Sequence, residues 1–335
     1  MNRVVFAITT CFLVSTAQAY QFEVKGQYGE SIDEPRGYEA EQTQASLVWW
    51  LEDVSTKNGP LAEAGFLSRT SSLAVNFGRV ETEFEPPSAL LPFFAAFAQE
   101  TENDRYGGTF SWIHDSGWIL RAQVARTETD QSPGSFGDVD GDEYGVNLGY
   151  YLTDSTTIEA SYVQGDSEGG SRTQGTCPVL PLLFICIESS SIQFDTEVDT
   201  AALAVKHVGA VLGQDFAINF QYAYIDADTT TRSVLVRRDQ FGNLQTIRSR
   251  LSSDISTDSL SAGLTWYVNR RLGLDLGYAR LDADDGPDVD SYRVGGSWFV
   301  TENIYLGASI ERTEVSLFTG QDDLDSATLK VGLRW

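Results

Sequence analysis

The sequence predicts an all-β fold, and within that class a transmembrane antiparallel up-and-down β-barrel. Three observations carry this. Apolar and polar residues alternate with period two along nearly the whole chain. The apolar sets end in Tyr and Trp while the opposite sets are small and polar, a pattern of lipid outside and water inside. Short and long connections alternate as well, as in barrels that keep tight turns at one membrane face and long loops at the other.

The chain opens with a candidate export signal. Arg3 gives a positive start, Val4 to Val14 form an apolar run broken only by Thr9 and Thr10, and Ala17-Gln18-Ala19 supplies a small-x-small cleavage site. The run is too short to span a bilayer, which takes about 20 apolar residues. Residues 1–19 are thus expected to be a signal peptide and 20–335 the barrel. Cys11 lies inside the run and not after the cleavage site, which excludes a lipoprotein. Removing the segment takes away one charge, Arg3, and moves the net charge from −25 to −26. Such acidity excludes a nucleic-acid partner, since polyanions are repelled. A content of 41% hydrophobic and 12% aromatic residues is nevertheless too high for a disordered acidic chain.

Strands follow in order near 20–28, 41–52, 72–84, 105–113, 117–128, 142–152, 156–166, 193–206, 215–226, 257–268, 271–282, 289–300, 303–316 and 325–335. In one, Tyr144, Val146, Leu148, Tyr150 and Leu152 alternate with Gly145, Asn147 and Gly149. In another, Leu272, Leu274, Leu276 and Tyr278 alternate with Gly273, Asp275 and Gly277. Fourteen strands satisfy the parity that two periplasmic termini demand; sixteen is the alternative. Leu61 to Arg69 is read as a long periplasmic connection, and Thr231 to Arg250 as a hairpin that projects from its loop without spanning lipid. Short turns fall at 114–117, 153–155, 269–271 and 301–303; longer loops cover 129–141, 167–191, 227–256 and 283–288. Ala327, Leu329, Val331, Leu333 and Trp335 alternate to an aromatic final residue, which resembles the terminal signal read by the outer-membrane barrel assembly machinery.

With these elements in place, the mature chain resembles the outer-membrane porins of Gram-negative bacteria. The stretch Gly59 to Arg69, followed by Ser71-Ser72-Leu73, is similar to a segment of the putative-porin group. The resemblance implies a diffusion pore in the outer membrane and transfers no catalytic residue.

The expected pore-lining residues are Lys25, Arg105, Arg121, Glu159, Lys206, Asp275, Arg293, Glu311 and Lys330, with Glu23 and Arg334 on the same inward face. Opposed charges there would select solutes by charge and size, or would simply pair and fill a narrow barrel. Many inward neighbours are Gly, Ser, Ala and Asn, which favours an open lumen. Catalysis is poorly supplied: the two histidines, His114 and His207, sit at a turn and a strand end, and no nucleophile, phosphate or zinc motif appears. No enzyme and no cofactor is expected. The acidic runs around Asp138-Val139-Asp140-Gly141-Asp142-Glu143 and Asp282–Asp290 have oxygen spacing of the kind that holds Ca²⁺, but lack a complete EF-hand loop; the other reading is solvated charge. Cys177 and Cys186 are expected to form a disulfide in an oxidising compartment. Two apolar stretches, Pro86 to Phe97 and Cys177 to Ile187, are read first as a constriction of the barrel mouth; the other readings are contact with the outer-leaflet boundary and a site for a hydrophobic solute. The function expected is passive diffusion of small hydrophilic solutes or ions. A surface receptor or adhesin anchored by its barrel is the alternative. Expected partners are outer-membrane lipid and lipopolysaccharide, the assembly machinery, small solutes and a homo-oligomer.

Overall fold

A computed structural model describes residues 19–33, 38–57, 59–84, 99–132, 139–174, 186–238, 244–284, 286–317 and 320–335. Fourteen antiparallel strands close into one barrel. They are β1 (Ala19–Asp33), β2 (Tyr38–Ser55), β3 (Ser72–Phe84), β4 (Gln99–Ile113), β5 (Trp118–Ser132), β6 (Val139–Thr153) and β7 (Thr156–Gln174), then β8 (Cys186–Val211), β9 (Gln214–Arg238), β10 (Leu244–Asn269), β11 (Leu272–Ala283), β12 (Asp288–Phe299), β13 (Ile304–Leu317) and β14 (Gly320–Arg334). Each strand pairs with its neighbours in sequence, and β14 returns to β1 through pairs such as Val24 with Leu333 and Tyr28 with Leu329. Closure leaves no edge strand, so every backbone group at membrane depth has a partner.

Residue types sort by height on the outer wall. Trp49, Trp112, Trp118, Trp266, Trp298 and Trp335 ring the short-turn end, each 42–50% exposed. Aliphatic residues such as Leu148, Val294 and Leu306 form the middle band. Tyr28, Tyr106, Tyr144, Tyr162, Tyr222 and Tyr292 ring the far side of that band. From Trp118 to Arg126 on β5 is eight residues, which at a barrel's tilt gives a band about 20 Å tall between ring centres, somewhat under the roughly 25 Å of a lipid-facing belt.

Beyond the tyrosines the strands continue, and their outer face turns acidic. The hydroxyls of Tyr106, Tyr162 and Tyr278 donate to Glu128, Asp199 and Asp290 at 2.7, 2.6 and 2.7 Å. This revises the reading of the long connections as loops: 129–132, 139–141, 167–174, 186–191, 227–238, 244–256, 283 and 288 are strand. Alternation puts Asp140 and Asp142 on the outer face with Tyr144 and sends Glu143 into the lumen. Among the described residues no three acidic, His or Cys side chains gather as metal ligands. The hairpin read over Thr231 to Arg250 is no separate unit but the continuation of β9 and β10, paired from Tyr267–Asp215 to Leu244–Arg238.

One tight turn escaped the sequence reading. Leu212 and Gly213, both at positive φ (52° and 80°), join β8 to β9, as a two-residue hairpin of the primed type requires. Leu212 replaces the usual Asn and is fully exposed. The export signal lies outside the described residues except Ala19, which opens β1. Cys177 and the stretch Pro86 to Phe97 also lie outside them; Cys186 opens β8.

Candidate pore and the segment across its mouth

The inner face of the closed sheet follows from the register. Cross-strand register places Lys25, Arg105, Arg121, Glu159, Lys206, Asp275, Arg293, Glu311 and Lys330 on one face of the closed sheet. The charges are mostly matched. Arg105 meets Glu143 at 2.7 Å, Lys25 meets Glu23 at 3.1 Å, and Arg121 is paired with Glu159. Arg293 faces Glu311 across the β12–β13 ladder, and Asp275 accepts a bond from Thr265 at 2.6 Å. Glu143, missed in the sequence because it sits in an acidic run, also accepts from Gln123 Nε2 at 3.1 Å. Long side chains lie flat where the neighbouring strand has glycine: a Cβ on Gly149 would come within 2.7 Å of Glu159 Cγ.

The segment between β2 and β3 is the largest departure from expectation. It neither spans as a strand nor hangs below the barrel. A 3₁₀ turn, Leu61–Glu63, runs into the four-residue helix α1, Ala64–Leu67, and both lie inside the short-turn mouth. Ala64 packs with Tyr20, Val54 and Trp50 on one wall. Phe66 and Leu67 pack against Val208, Ala217 and Tyr267 on β8, β9 and β10. In a ring of fourteen strands β2 and β9 are seven places apart, so the segment bridges opposite walls. Gly65 allows the fit, since a Cβ there would approach the Trp50 ring to 2.5 Å.

Polar contacts hold the segment at both ends and in the middle. Glu63, itself buried, accepts from the Tyr267 hydroxyl at 2.7 Å and from Lys206 Nζ at 2.6 Å. Lys206 also stands 4.6 Å from the Phe66 ring centroid. Arg334, buried near the C-terminus, donates to the Leu61 carbonyl at 2.9 Å and lies over the Tyr20 and Phe299 rings. Arg270 donates to the carbonyls of Thr56 and Gly59. At the other end Arg69 reaches Asp154 Oδ1 at 2.7 Å, and the Tyr151 hydroxyl donates to the Phe66 carbonyl at 2.9 Å. Lys206 and Arg334 thus hold this segment as well as lining the wall.

Above the segment two cavities follow in series. One of about 520 Å³ rests on Phe66 and Trp50 beneath Arg121, Asn147 and Glu159. A second, of about 550 Å³, lies among Lys25, Gln27, Gln44, Asn76, Arg105 and Lys330. The histidines stay outside both linings. His114 contacts Ser116 Oγ at 2.7 Å in the β4–β5 turn, and His207 contacts Thr156 Oγ1 at 2.8 Å near the β6–β7 turn.

A closed fourteen-strand barrel with an apolar belt, two aromatic rings and a charged inner wall defines an outer-membrane β-barrel of channel type. Residues 1–288 match the family model described as a putative general bacterial porin, and the chain belongs to that family. No curated protein matches it significantly. Among solved structures it is similar to the Acinetobacter baumannii outer membrane protein Omp33, at 16% identity and TM-score 0.51 over 95% of this chain and 99% of that one. It is also similar to a Pseudomonas aeruginosa FadL homologue, at 12% identity and TM-score 0.55 over 94% and 90%. The Pseudomonas putida toluene transporter TodX matches at 13% identity and TM-score 0.52 over 95% and 89%. At these identities the likeness concerns the fold.

Proposed function

We propose that the protein is a channel for small hydrophilic solutes or ions, with the β2–β3 segment as a plug that closes it at the periplasmic end. The observation that carries this is the contrast between the two ends of one polar lumen. Its walls are lined by matched charges, Gln, Asn and Ser, as aqueous passage requires, yet one mouth is bridged wall to wall. Both termini and the short turns then face the periplasm, residues 1–19 are removed on export, and β14 is the strand the assembly machinery reads. The tyrosine ring and acidic collar then meet the outer-leaflet lipid and lipopolysaccharide. The chain acts as a conduit and not as an enzyme.

A second reading is passage of hydrophobic compounds, the cargo named for TodX. Val163, Val198 and Ile225 on the upper inner wall favour it. The ion-paired lower lumen opposes it, because an apolar solute there would strip water from charges without replacing it. Planar-bilayer recording separates the readings. Wild type should show rare, brief openings. Replacing 61–67 by a Gly-Ser linker should give long-lived ohmic steps while the barrel stays heat-modifiable. Absence of steps in both would overturn the channel, and would support a barrel that only anchors the β9–β10 projection as a receptor.

A further inference from the structure

We infer that the outer half of β10 is a docking edge for an extended, acidic strand of another protein, which adds to the projecting sheet outside the membrane. The inference is independent of the channel reading, because this ribbon stands beyond the tyrosine ring. β11 accompanies β10 only as far as Thr257, whereas β10 runs on to Leu244 with β9 alone beside it among the described residues. The Ser256 carbonyl accepts from the Asp284 N–H at 3.1 Å, the last bond on that side. Strand alternation then turns the N–H and C=O groups of Asp254, Ser252, Arg250, Arg248 and Thr246 towards the open edge. That edge is about 40 Å long. Sheet edges are ordinarily blunted by bulges, proline or brevity. This one keeps an unbroken register from Tyr267 to Leu244 and contains no proline.

Charge selects the partner. Residues 229–253 contain five Arg and one acid, Asp239, on a chain of net charge −25. Arg232 meets Asp195 at 3.3 Å, but Arg248 and Arg250 stand exposed with no carboxylate partner among the described residues. Arg250 lies directly opposite Arg232, and like charges so placed repel. Asp254 bounds this basic stretch on the membrane side. On the other face of the strand Ile247, Leu251 and Ile255 are exposed, Leu251 at 69%. A strand that alternates carboxylates with apolar side chains would answer the edge, the Arg row and the apolar row together. A second copy of the chain would add bases to bases. A polyanionic glycan could meet the Arg row but would leave the edge and the apolar row unused.

The test is a fluorescence-anisotropy titration of the full barrel in detergent micelles, with empty micelles as the blank. The probe is a labelled eight-residue peptide that alternates Val and Glu. It should bind saturably, and its Val–Lys counterpart at least about ten-fold more weakly. Replacing Arg248 and Arg250 together by Gln should weaken the Val–Glu peptide about five- to ten-fold. Ser252→Pro removes an edge N–H without touching the β9 ladder, and should weaken it at least about five-fold. Heat-modifiable mobility confirms that each variant is folded. N-methylation of alternate peptide nitrogens blocks the same bonds from the partner's side, and keeps the test open if Ser252→Pro disturbs the strand. Absence of saturable binding would overturn the inference. So would binding that survives both Ser252→Pro and N-methylation, because charge alone would then explain it. Dextran sulfate that binds through Arg248 and Arg250 where the Val–Glu peptide does not would mark a polyanion site and overturn strand addition.

Discussion

Glu63 ties the plug to two strands of the far wall through a hydroxyl and an ammonium. In the chain it is a lone acid within an apolar stretch, Leu61 to Leu67, with no periodicity to assign it. Its partners, Lys206 and Tyr267, come from β8 and β10, far away in sequence and brought together only by closure of the barrel. Glu63→Gln keeps a bond to Tyr267 and leaves Lys206 without its counter-charge. The plug should loosen by on the order of 1–2 kcal/mol. Single-channel recording should then show more frequent openings, and amide exchange over 56–71 should quicken with the strands unchanged. An open probability equal to wild type would show that the pair does not latch the plug. Outward residues follow a simpler rule. Leu148, 54% exposed at the middle of the belt, faces lipid. Leu148→Arg should cost about 2–4 kcal/mol in urea unfolding from bilayers. Ser309→Arg, on the inner face between Gly295 and Thr328, should cost under about 1 kcal/mol. Equal costs would contradict the register.

At the scale of elements, hydropathy located strands wherever lipid imposed contrast between faces and lost them where it did not. β6 is plain from Asp142 to Leu152, yet its first residues, Val139 to Gly141, show no apolar face against a polar one and read as loop. The same holds for β9 and β10, whose outer halves mix Thr, Ser, Arg and Asp with scattered Val, Leu and Ile in water on both sides. Backbone pairing sustains those halves, and side-chain polarity does not mark them. The extension contains its own strain: Asp254 lies opposite Asp228 and close to Asp226, and this repulsion raises its carboxyl above the ordinary value. A folded-state pKa above the unfolded one means that the hairpin gains stability as pH falls towards and through the folded value, and is weakened above it. Asp254→Asn should therefore slow proteolytic nicking of the projection at pH 7. At pH 3, with a protease active in acid, it should change nothing. Faster nicking of the variant at pH 7 would contradict the repulsion.

For the whole molecule the open matter is how a chain of net charge −25 treats ions. Read from sequence, the inward face held seven bases and four acids, which suggests an anion-preferring lumen beneath a cation-attracting loop region. Structure changes both terms. Glu63 and Glu143 join Glu23, Glu159, Asp275 and Glu311 inside, and Lys25, Arg105, Arg121 and Lys206 each hold a carboxylate. The lumen is therefore close to neutral. Among the described residues the excess acid is arrayed around the outer face of the projecting strands, as Glu128, Asp142, Asp199 and Asp290 show. A collar of that kind concentrates cations near the entrance through solvent, with a reach of about 8 Å at physiological ionic strength and about 30 Å at 0.01 M. Charges within the low-dielectric wall are screened far less, so any residual lumen preference should survive added salt. Reversal potentials of the plug-replaced channel should accordingly show cation preference at a mean concentration near 0.01 M that collapses towards zero near 1 M. Arg293→Gln, which leaves Glu311 without its cross-strand base, should restore cation preference at high salt. A firm anion preference at both concentrations would mean that Arg293 and Lys330, and not the collar, set the field in the path.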